Sequence, residues 1–151
     1  MLYLFIKFVH VIAAMVFFGL PFAFGRWYKS LARSDHQVFR HGLRLMRQMA
    51  LIYLNLTGFV VIATGLYLAL TSGLMQAAGW IHLGILLTVL ALINVNVLLI
   101  SSLGSIIRNL STQGAQEGST RRIRLRVMVF SAIHHTLVTA ATALMIFRPI
   151  W

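Results

Sequence analysis

The chain contains no cysteine and almost no acid. Its 151 residues include only two carboxylates, Asp35 and Glu117, against 13 lysine and arginine residues, which gives a formal net charge of +11. Without cysteine, the chain cannot form a disulfide, an iron–sulfur cluster, a thiolate-ligated haem or a catalytic thiol. No carboxylate lies in an apolar run, which argues against a proton pump with acidic relays and against a carboxylate-bridged metal centre. A hydrolase is disfavoured as well, because the chain has no Ser-His-Asp set and no HExxH motif.

Apolar residues dominate the sequence. The chain is 60% hydrophobic and only 10% charged, a balance typical of integral membrane proteins. Four apolar runs, residues 2–24, 49–70, 80–103 and 127–147, are each long enough to cross a hydrocarbon core of ~30 Å as a helix. We therefore predict an all-α integral membrane protein in which residues 1–151 form a single four-transmembrane-helix bundle. Ser34 and Gln37 form a candidate capping box at the start of the second helix.

Basic residues lie in two of the three connections between these runs. Those between the first and second runs are Arg26, Lys29, Arg33, Arg40, Arg44 and Arg47, and those between the third and fourth are Arg108, Arg121, Arg122, Arg124 and Arg126. Residues 71–79, between the second and third runs, carry no charge. The positive-inside rule then predicts that both basic loops are cytoplasmic and both termini outside. We expect a multi-pass protein of the bacterial inner (plasma) membrane, with the lipid bilayer as its partner and no nucleic-acid role.

Two adjacent histidines, His134 and His135, lie well inside the fourth run. An ionisable side chain at membrane depth is costly and by default marks a functional site. At about 100° per residue, His135 shares a helical stripe with Ser131, Thr139 and Thr142. We therefore predict that His135 points into the bundle. His134 could face lipid, a neighbouring helix or a second subunit.

A third deep histidine, His10, lies on a stripe of the first run with Tyr3 and Lys7. Lys7 is close enough to the outer end to reach the headgroups, whereas His10 is ~12 Å below that end and His135 is ~18 Å below its own. Helix tilts of about 20° can absorb this difference in depth. We therefore predict a b-type haem between the first and fourth helices, with His10 and His135 as metal ligands and Ser131 or Thr139 fixing the tautomer of His135. The alternative is that these histidines only hydrogen-bond backbone or threonine groups between helices.

Three further polar residues complete the candidate cofactor-binding set, which is His10, His135, His134, His82, Asn55 and Asn96. His82 and Asn96 share a face of the third run, and His82 lies about one turn below the outer surface, where an interfacial position is favoured over a ligand or gating role. Asn55 lies near Gly58 and Gly65, whose spacing favours close helix packing, although the amide could also bond a buried ligand. Copper is the alternative metal, but the seven methionines are scattered, and packing explains them better.

Parts of the sequence resemble known bacterial membrane proteins. The segments are KFVHVIAAMVFFGLPFAFGR (residues 7–26), TGLYLAL (64–70), GWIHLGILL (79–87) and the terminal FRPIW. They resemble the HemJ-type protoporphyrinogen oxidases and the membrane part of CopD-type copper-resistance proteins. The HemJ resemblance implies haem b binding with His10 as a ligand, and oxidation of a porphyrinogen. The chain departs from that family at Gly84, where those proteins have a functional lysine, and at Ser131 and Ala132, where they have an Asn-Glu pair.

Three functions follow from these observations. The first is a haem b-binding membrane redox protein, which transfers electrons to a quinone or a respiratory partner or acts as an oxidoreductase on a porphyrin precursor. The second is a CopD-like copper transport or resistance protein. The third is a small structural subunit of a larger membrane complex, or a homo-oligomer, with small-residue helix faces as contact surfaces.

Overall fold

The computed structural model describes residues 1–74, 79–112 and 117–147, and these are helical except for residue 1 and the turns at 32–35 and 72–74. Side chains are described in the same ranges except for residues 109–112 and 117–124. The helices are α1 (Leu2–Leu31), α2 (His36–Met49), α3 (Asn55–Thr71), α4 (Gly79–Asn94), α5 (Ser101–Thr112) and α6 (Glu117–Phe147). A π-helical segment, Ala50–Leu54, joins α2 to α3, and a second, Val95–Ile100, joins α4 to α5.

Four helical rods are long and apolar enough to cross a membrane. They are span 1 (Leu2–Leu31), span 2 (His36–Thr71), span 3 (Gly79–Arg108) and span 4 (Leu125–Phe147). Large apolar side chains such as Phe5, Leu56 and Phe59 are exposed on their outer faces, as expected where helices meet lipid. The predicted all-α, four-span membrane architecture is thus confirmed. Spans 1 to 3 extend at their arginine-rich ends beyond the predicted runs, because helices can continue past the apolar zone into the headgroup region.

The turn between spans 1 and 2 corrects the predicted cap. Asp35, and not Ser34, is the N-cap of α2, and its carboxylate accepts hydrogen bonds from the backbone N–H groups of Gln37 and Val38 at 3.0 and 2.9 Å. The Ser34 hydroxyl instead donates to the carbonyl of Leu31 at the end of α1. A carboxylate is the stronger acceptor at a helix N-terminus, where it also meets the positive end of the helix dipole.

The bundle has two unlike ends. At one end, the terminal end, α1 begins and α6 ends, and the residues there that line one common cavity include Tyr3, Leu74, Trp80 and Ile146. The other end, the basic end, contains the Asp35 cap and the arginines of α2. A continuous core of large side chains fills the middle of the bundle and its basic end; it includes Phe17, Phe24, Leu43, Leu54, Leu99, Leu103 and Phe130. Near the terminal end only Ala69 and Ile81 form a small buried cluster of their own. The bundle is therefore packed less densely at its terminal end.

Close contact between the spans depends on glycine, as predicted. A Cβ atom at Gly58 of α3 would lie 2.8 Å from Leu92 Cδ1 and 3.0 Å from Phe17 Cε2, so spans 1, 2 and 3 meet over this residue. A Cβ atom at Gly65, two turns further along, would lie 3.1 Å from His10 Cε1. The small residues of α3 thus bring span 1 close enough for His10 to contact span 2.

Candidate functional site

A cavity of about 410 Å³ opens among all four spans at the terminal end. Most of its wall is apolar, with Val11, Val61, Ile62, Leu68, Ile81, Ile85, Met145 and Ile146 among the lining residues. Its polar lining comes from Tyr3, Lys7, His10, Ser72, Trp80, Thr88 and Thr142. Among the described lining residues only Lys7 is formally charged, so the cavity suits a largely apolar ligand that carries an anionic group.

Three lining residues come from a single stripe of α1. Tyr3, Lys7 and His10 follow one another at helical spacing and all line the cavity, which confirms that this face of span 1 turns inward. Lys7 is largely exposed, whereas His10 is half-buried. A cation near the mouth and an imidazole deeper inside therefore lie on one wall.

The surroundings of His10 fix which of its ring nitrogens carries the proton. The Thr64 hydroxyl donates to the carbonyl of Val60 at 2.5 Å, so its oxygen is left to accept. His10 Nδ1 lies 2.9 Å from that oxygen and therefore donates to it. Nε2 is then the unprotonated nitrogen, with a lone pair available to a metal ion or to a hydroxyl donor.

His134, and not His135, points into the bundle core. His134 is completely buried, at 0% exposure, together with Val127, Phe130, Val138 and Ala141 of the same stripe. His135 is only half-buried, and Thr139 of its stripe is exposed. The predicted orientation is therefore wrong by one residue. The polar stripe was a poor guide to orientation because a threonine hydroxyl in a helix can donate to the carbonyl four residues back. Thr142 donates in this way to Val138 at 2.8 Å. A stripe of threonines therefore does not require a polar interior.

The partner of His134 explains its burial. His134 Nε2 lies 2.9 Å from the carbonyl oxygen of Phe17 in α1, and a carbonyl can only accept, so Nε2 donates. In a regular helix that carbonyl would accept from residue 21, which here is Pro21 and has no N–H. His134 thus satisfies the backbone acceptor that Pro21 leaves free inside span 1. This is a structural role, in line with the alternative that the sequence left open.

His135 lies at the seam between spans 4 and 1. Its Nδ1 is 2.6 Å from the Ser131 carbonyl and 3.2 Å from the Ser131 hydroxyl, so the predicted contact with Ser131 is present. Its ring packs against Phe22 at 3.6 Å and Phe18 at 5.5 Å between centroids. Phe18 lies eight positions beyond His10 on α1 and Phe22 lies twelve, which corresponds to roughly 12 and 18 Å of helix rise. The structure therefore does not bring His10 and His135 together at one level.

The other predicted site residues also lie outside the cavity. His82 is exposed on α4, although its neighbours Trp80 and Ile81 line the cavity. Asn55 and Asn96 bond each other through reciprocal amide contacts of 2.8 and 3.3 Å, which join spans 2 and 3 beside the two π-helical segments. Both amides therefore serve helix–helix association.

Several lining residues were not among the predicted site residues. Gly65, Gly84 and Ala69 are small residues of α3 and α4 that leave the space, and Met145 of α6 lies with its Cε atom 3.8 Å from where a Cβ at Gly84 would be. A sequence signal could have located the cavity. Small residues of the second and third apolar runs, Gly65, Ala69 and Gly84, occur at a depth similar to that of His10. Within the residues whose positions the structure describes, no three His, Asp or Glu side chains gather as a metal-ion site.

Comparison with known proteins supports the membrane assignment. One family model, described as a predicted integral membrane protein, matches residues 4–149. No curated protein and no solved structure matches the chain. The family description carries neither the HemJ-type nor the CopD-type resemblance.

Proposed function

This chain belongs to the DUF2269 family of predicted integral membrane proteins, and within that class we propose that it binds haem b in the cavity at the terminal end, with His10 Nε2 as the protein ligand to the iron. The observation that carries the proposal is the hydrogen bond from His10 Nδ1 to Thr64. Metal-ligating histidines typically donate their other ring N–H to a fixed acceptor, which sets the tautomer and the ring orientation. His10 has this arrangement, and it lines the cavity.

The cavity matches the rest of such a ligand. Its volume of about 410 Å³ falls within the range of roughly 300–1,000 Å³ found for small-molecule and cofactor sites. Its apolar walls suit a porphyrin ring, and Lys7 and Tyr3 offer a cation and a hydroxyl to the propionate groups. A carboxylate is attracted there without competition, because neither acidic residue of the sequence lies in a span that contributes to the cavity wall.

A porphyrin also removes the need for a protein-built metal site. The macrocycle supplies four ligands to the iron, so the protein has to supply only one imidazole. Copper, in contrast, would need several side chains together, and the described part of the chain gathers no group of three His, Asp or Glu side chains. Since His135 lies at another level, we propose a single protein imidazole in place of the His10–His135 pair. When bound, the haem would supply one-electron redox chemistry, and Thr64, Lys7 and the apolar wall would hold and orient it.

The test is the absorption spectrum of the detergent-purified protein after expression with excess haem precursor. We expect a Soret band, haem b by the pyridine haemochrome assay, and a high-spin spectrum that shifts when carbon monoxide is added to the reduced protein. His10→Ala should reduce haem occupancy at least about tenfold. Thr64→Val, which removes the acceptor for Nδ1, should weaken haem affinity by about 10–100-fold.

His82→Ala is the matched control, because His82 is a histidine of the same end that does not line the cavity. Its haem content should equal that of the wild type. A wild-type protein that takes up no haem, or a His10→Ala variant with unchanged haem content, would contradict the proposal. A low-spin spectrum insensitive to carbon monoxide would contradict ligation by a single imidazole.

A further inference from the structure

A second pocket, of about 390 Å³, lies at the basic end between α2 and α5, far from the haem cavity. Its lining residues are Arg44, Arg47, Gln48, Gly104, Ile107 and Arg108. Three guanidinium groups and an amide therefore surround one space, and the described residues of its wall include no acidic side chain. The lining of this pocket is therefore mostly polar and basic, whereas the lining of the cavity proposed to bind haem is mostly apolar.

Arg47 shows that these arginines do more than set the topology. Arginines that only hold a loop in the cytoplasm remain in water, but Arg47 is half-buried and its Nε atom is buried without a hydrogen-bond partner among the residues that the structure describes. A Cβ atom at Gly104 would lie 3.4 Å from Arg47 Nε, so the guanidinium lies over the bare backbone of α5. An N–H group of a buried cation costs free energy unless an acceptor meets it.

The chain itself has almost no acid with which to meet this charge. Of its two acidic residues, Asp35 is engaged as the N-cap of α2. The other, Glu117, is one carboxylate against the 13 basic residues of the chain. An anion from outside the chain is therefore the natural partner for the buried Nε atom of Arg47.

The position of the pocket indicates where the anion comes from. Arg44 and Arg47 lie in the last two turns of α2, immediately before the apolar part of span 2 begins at Met49. This is the level of the lipid headgroups on the side where the positive-inside rule places arginine. Basic pockets between helices at this level bind anionic headgroups, and arginine is the side chain best suited to a phosphate because its N–H groups match the phosphate oxygens in pairs.

We propose that Arg44 and Arg47, beside Arg108 in the same pocket wall, bind a phosphate group, supplied by an anionic phospholipid of the inner leaflet. A free phosphate has the same chemistry, so the experiment has an arm for each source. The full-length protein in neutral detergent is titrated with short-chain phosphatidylglycerol, with the matching phosphatidylcholine and with inorganic phosphate. Binding is followed by the midpoint of thermal unfolding and by native mass spectrometry.

We expect saturable binding of phosphatidylglycerol and none of phosphatidylcholine. Arg44→Gln with Arg47→Gln should weaken this binding at least tenfold. Gly104→Leu should do the same with no change of charge, because its side chain fills the space beside Arg47. Arg26→Gln with Arg33→Gln removes the same charge from exposed positions outside the pocket and should change the dissociation constant less than twofold.

The remaining outcomes are decisive in either direction. Binding of inorganic phosphate that is lost in the same pocket variants supports the site and assigns it a soluble ligand. Equal weakening in the pocket variants and in the Arg26/Arg33 control would overturn the proposal, because diffuse charge would then explain the binding. Absence of binding of any phosphate probe to the wild type would overturn it as well. If the double arginine variant does not fold, Gly104→Leu decides alone.

Discussion

A proline in span 1 and a histidine in span 4 are linked at the scale of single residues. Pro21 deprives the Phe17 carbonyl of its helical donor, and His134 reaches across to supply one at 2.9 Å. The two residues are far apart in sequence, yet each compensates for the cost of the other. An uncapped carbonyl and a buried imidazole are both unfavourable in lipid, whereas the bonded pair is tolerated.

This link predicts a specific pattern of stability. His134→Leu should lower the free energy of unfolding by about 1–3 kcal/mol, because it leaves the Phe17 carbonyl unsatisfied. Pro21→Ala restores a backbone N–H at position 21, so in that background the cost of His134→Leu should fall by roughly 1 kcal/mol. Reversible unfolding in mixed detergent and dodecyl sulfate measures all four combinations.

His135→Leu provides the comparison for this double-mutant cycle. His135 is the adjacent histidine, but it bonds Ser131 on its own helix and not span 1. Its substitution should cost the same in the presence and absence of Pro21. An equal cost of His134→Leu in both backgrounds would show that the bond to Phe17 does not compensate for the proline.

At the scale of helices, the spans are held together by small residues and by one amide pair. Gly58 allows Phe17 of span 1 and Leu92 of span 3 to meet over the backbone of span 2. The reciprocal Asn55–Asn96 bonds join spans 2 and 3 closer to the basic end. Close backbone approach and interhelical hydrogen bonds are the main sources of helix association in lipid. Apolar side chains gain little there when they exchange contacts with lipid for contacts with another helix.

Gly58→Ala tests this packing. The added methyl group would lie 2.8 Å from Leu92 Cδ1 and 3.0 Å from Phe17 Cε2, and overpacking of this kind costs about 1–3 kcal/mol. Gly19→Ala is the matched control, because a Cβ atom there meets nothing within 4 Å. The control should be neutral or slightly stabilising, since alanine favours a helix over glycine. Equal stability of the two variants would show that span 2 is not closely packed at Gly58.

At the scale of the whole molecule, most basic residues lie towards the end of the bundle opposite the cavity, while Lys7 lies in the cavity wall. The cavity proposed to bind haem lies at the terminal end, and the arginine-lined pocket proposed to bind phosphate lies at the basic end. The large core side chains fill the bundle between them. The orientation in the membrane then decides which side each site faces, and the distribution of basic residues predicts that the basic end is cytoplasmic.

The natural absence of cysteine makes this orientation directly measurable. Ser72 lies at the terminal end and Ala32 at the basic end, and both residues are exposed. Each can be replaced by a single cysteine, in the variants Ser72→Cys and Ala32→Cys. A membrane-impermeant maleimide should label Ser72→Cys when it is added from the outer side of the membrane that holds the protein. It should label Ala32→Cys only after that membrane is broken. The reverse pattern would place the basic end outside.

The sequence alone determined that this is an all-α integral membrane protein with four membrane-spanning helices. Four long apolar runs and the scarcity of charge require membrane helices, because hydrocarbon tolerates neither unpaired backbone groups nor free ions. The inward stripe of Tyr3, Lys7 and His10 was also predictable from spacing, as was the packing role of Gly58 and Gly65.

Tertiary structure decided which polar residues meet. Local periodicity could not separate His134 from His135, since threonine hydroxyls satisfied by their own helix imitate a polar interior. It could not show that the Phe17 carbonyl, freed by Pro21, would be met by His134, nor that Asn55 and Asn96 would pair. These contacts depend on the depth and rotation of each helix against its neighbours, and lateral packing in the bundle sets both.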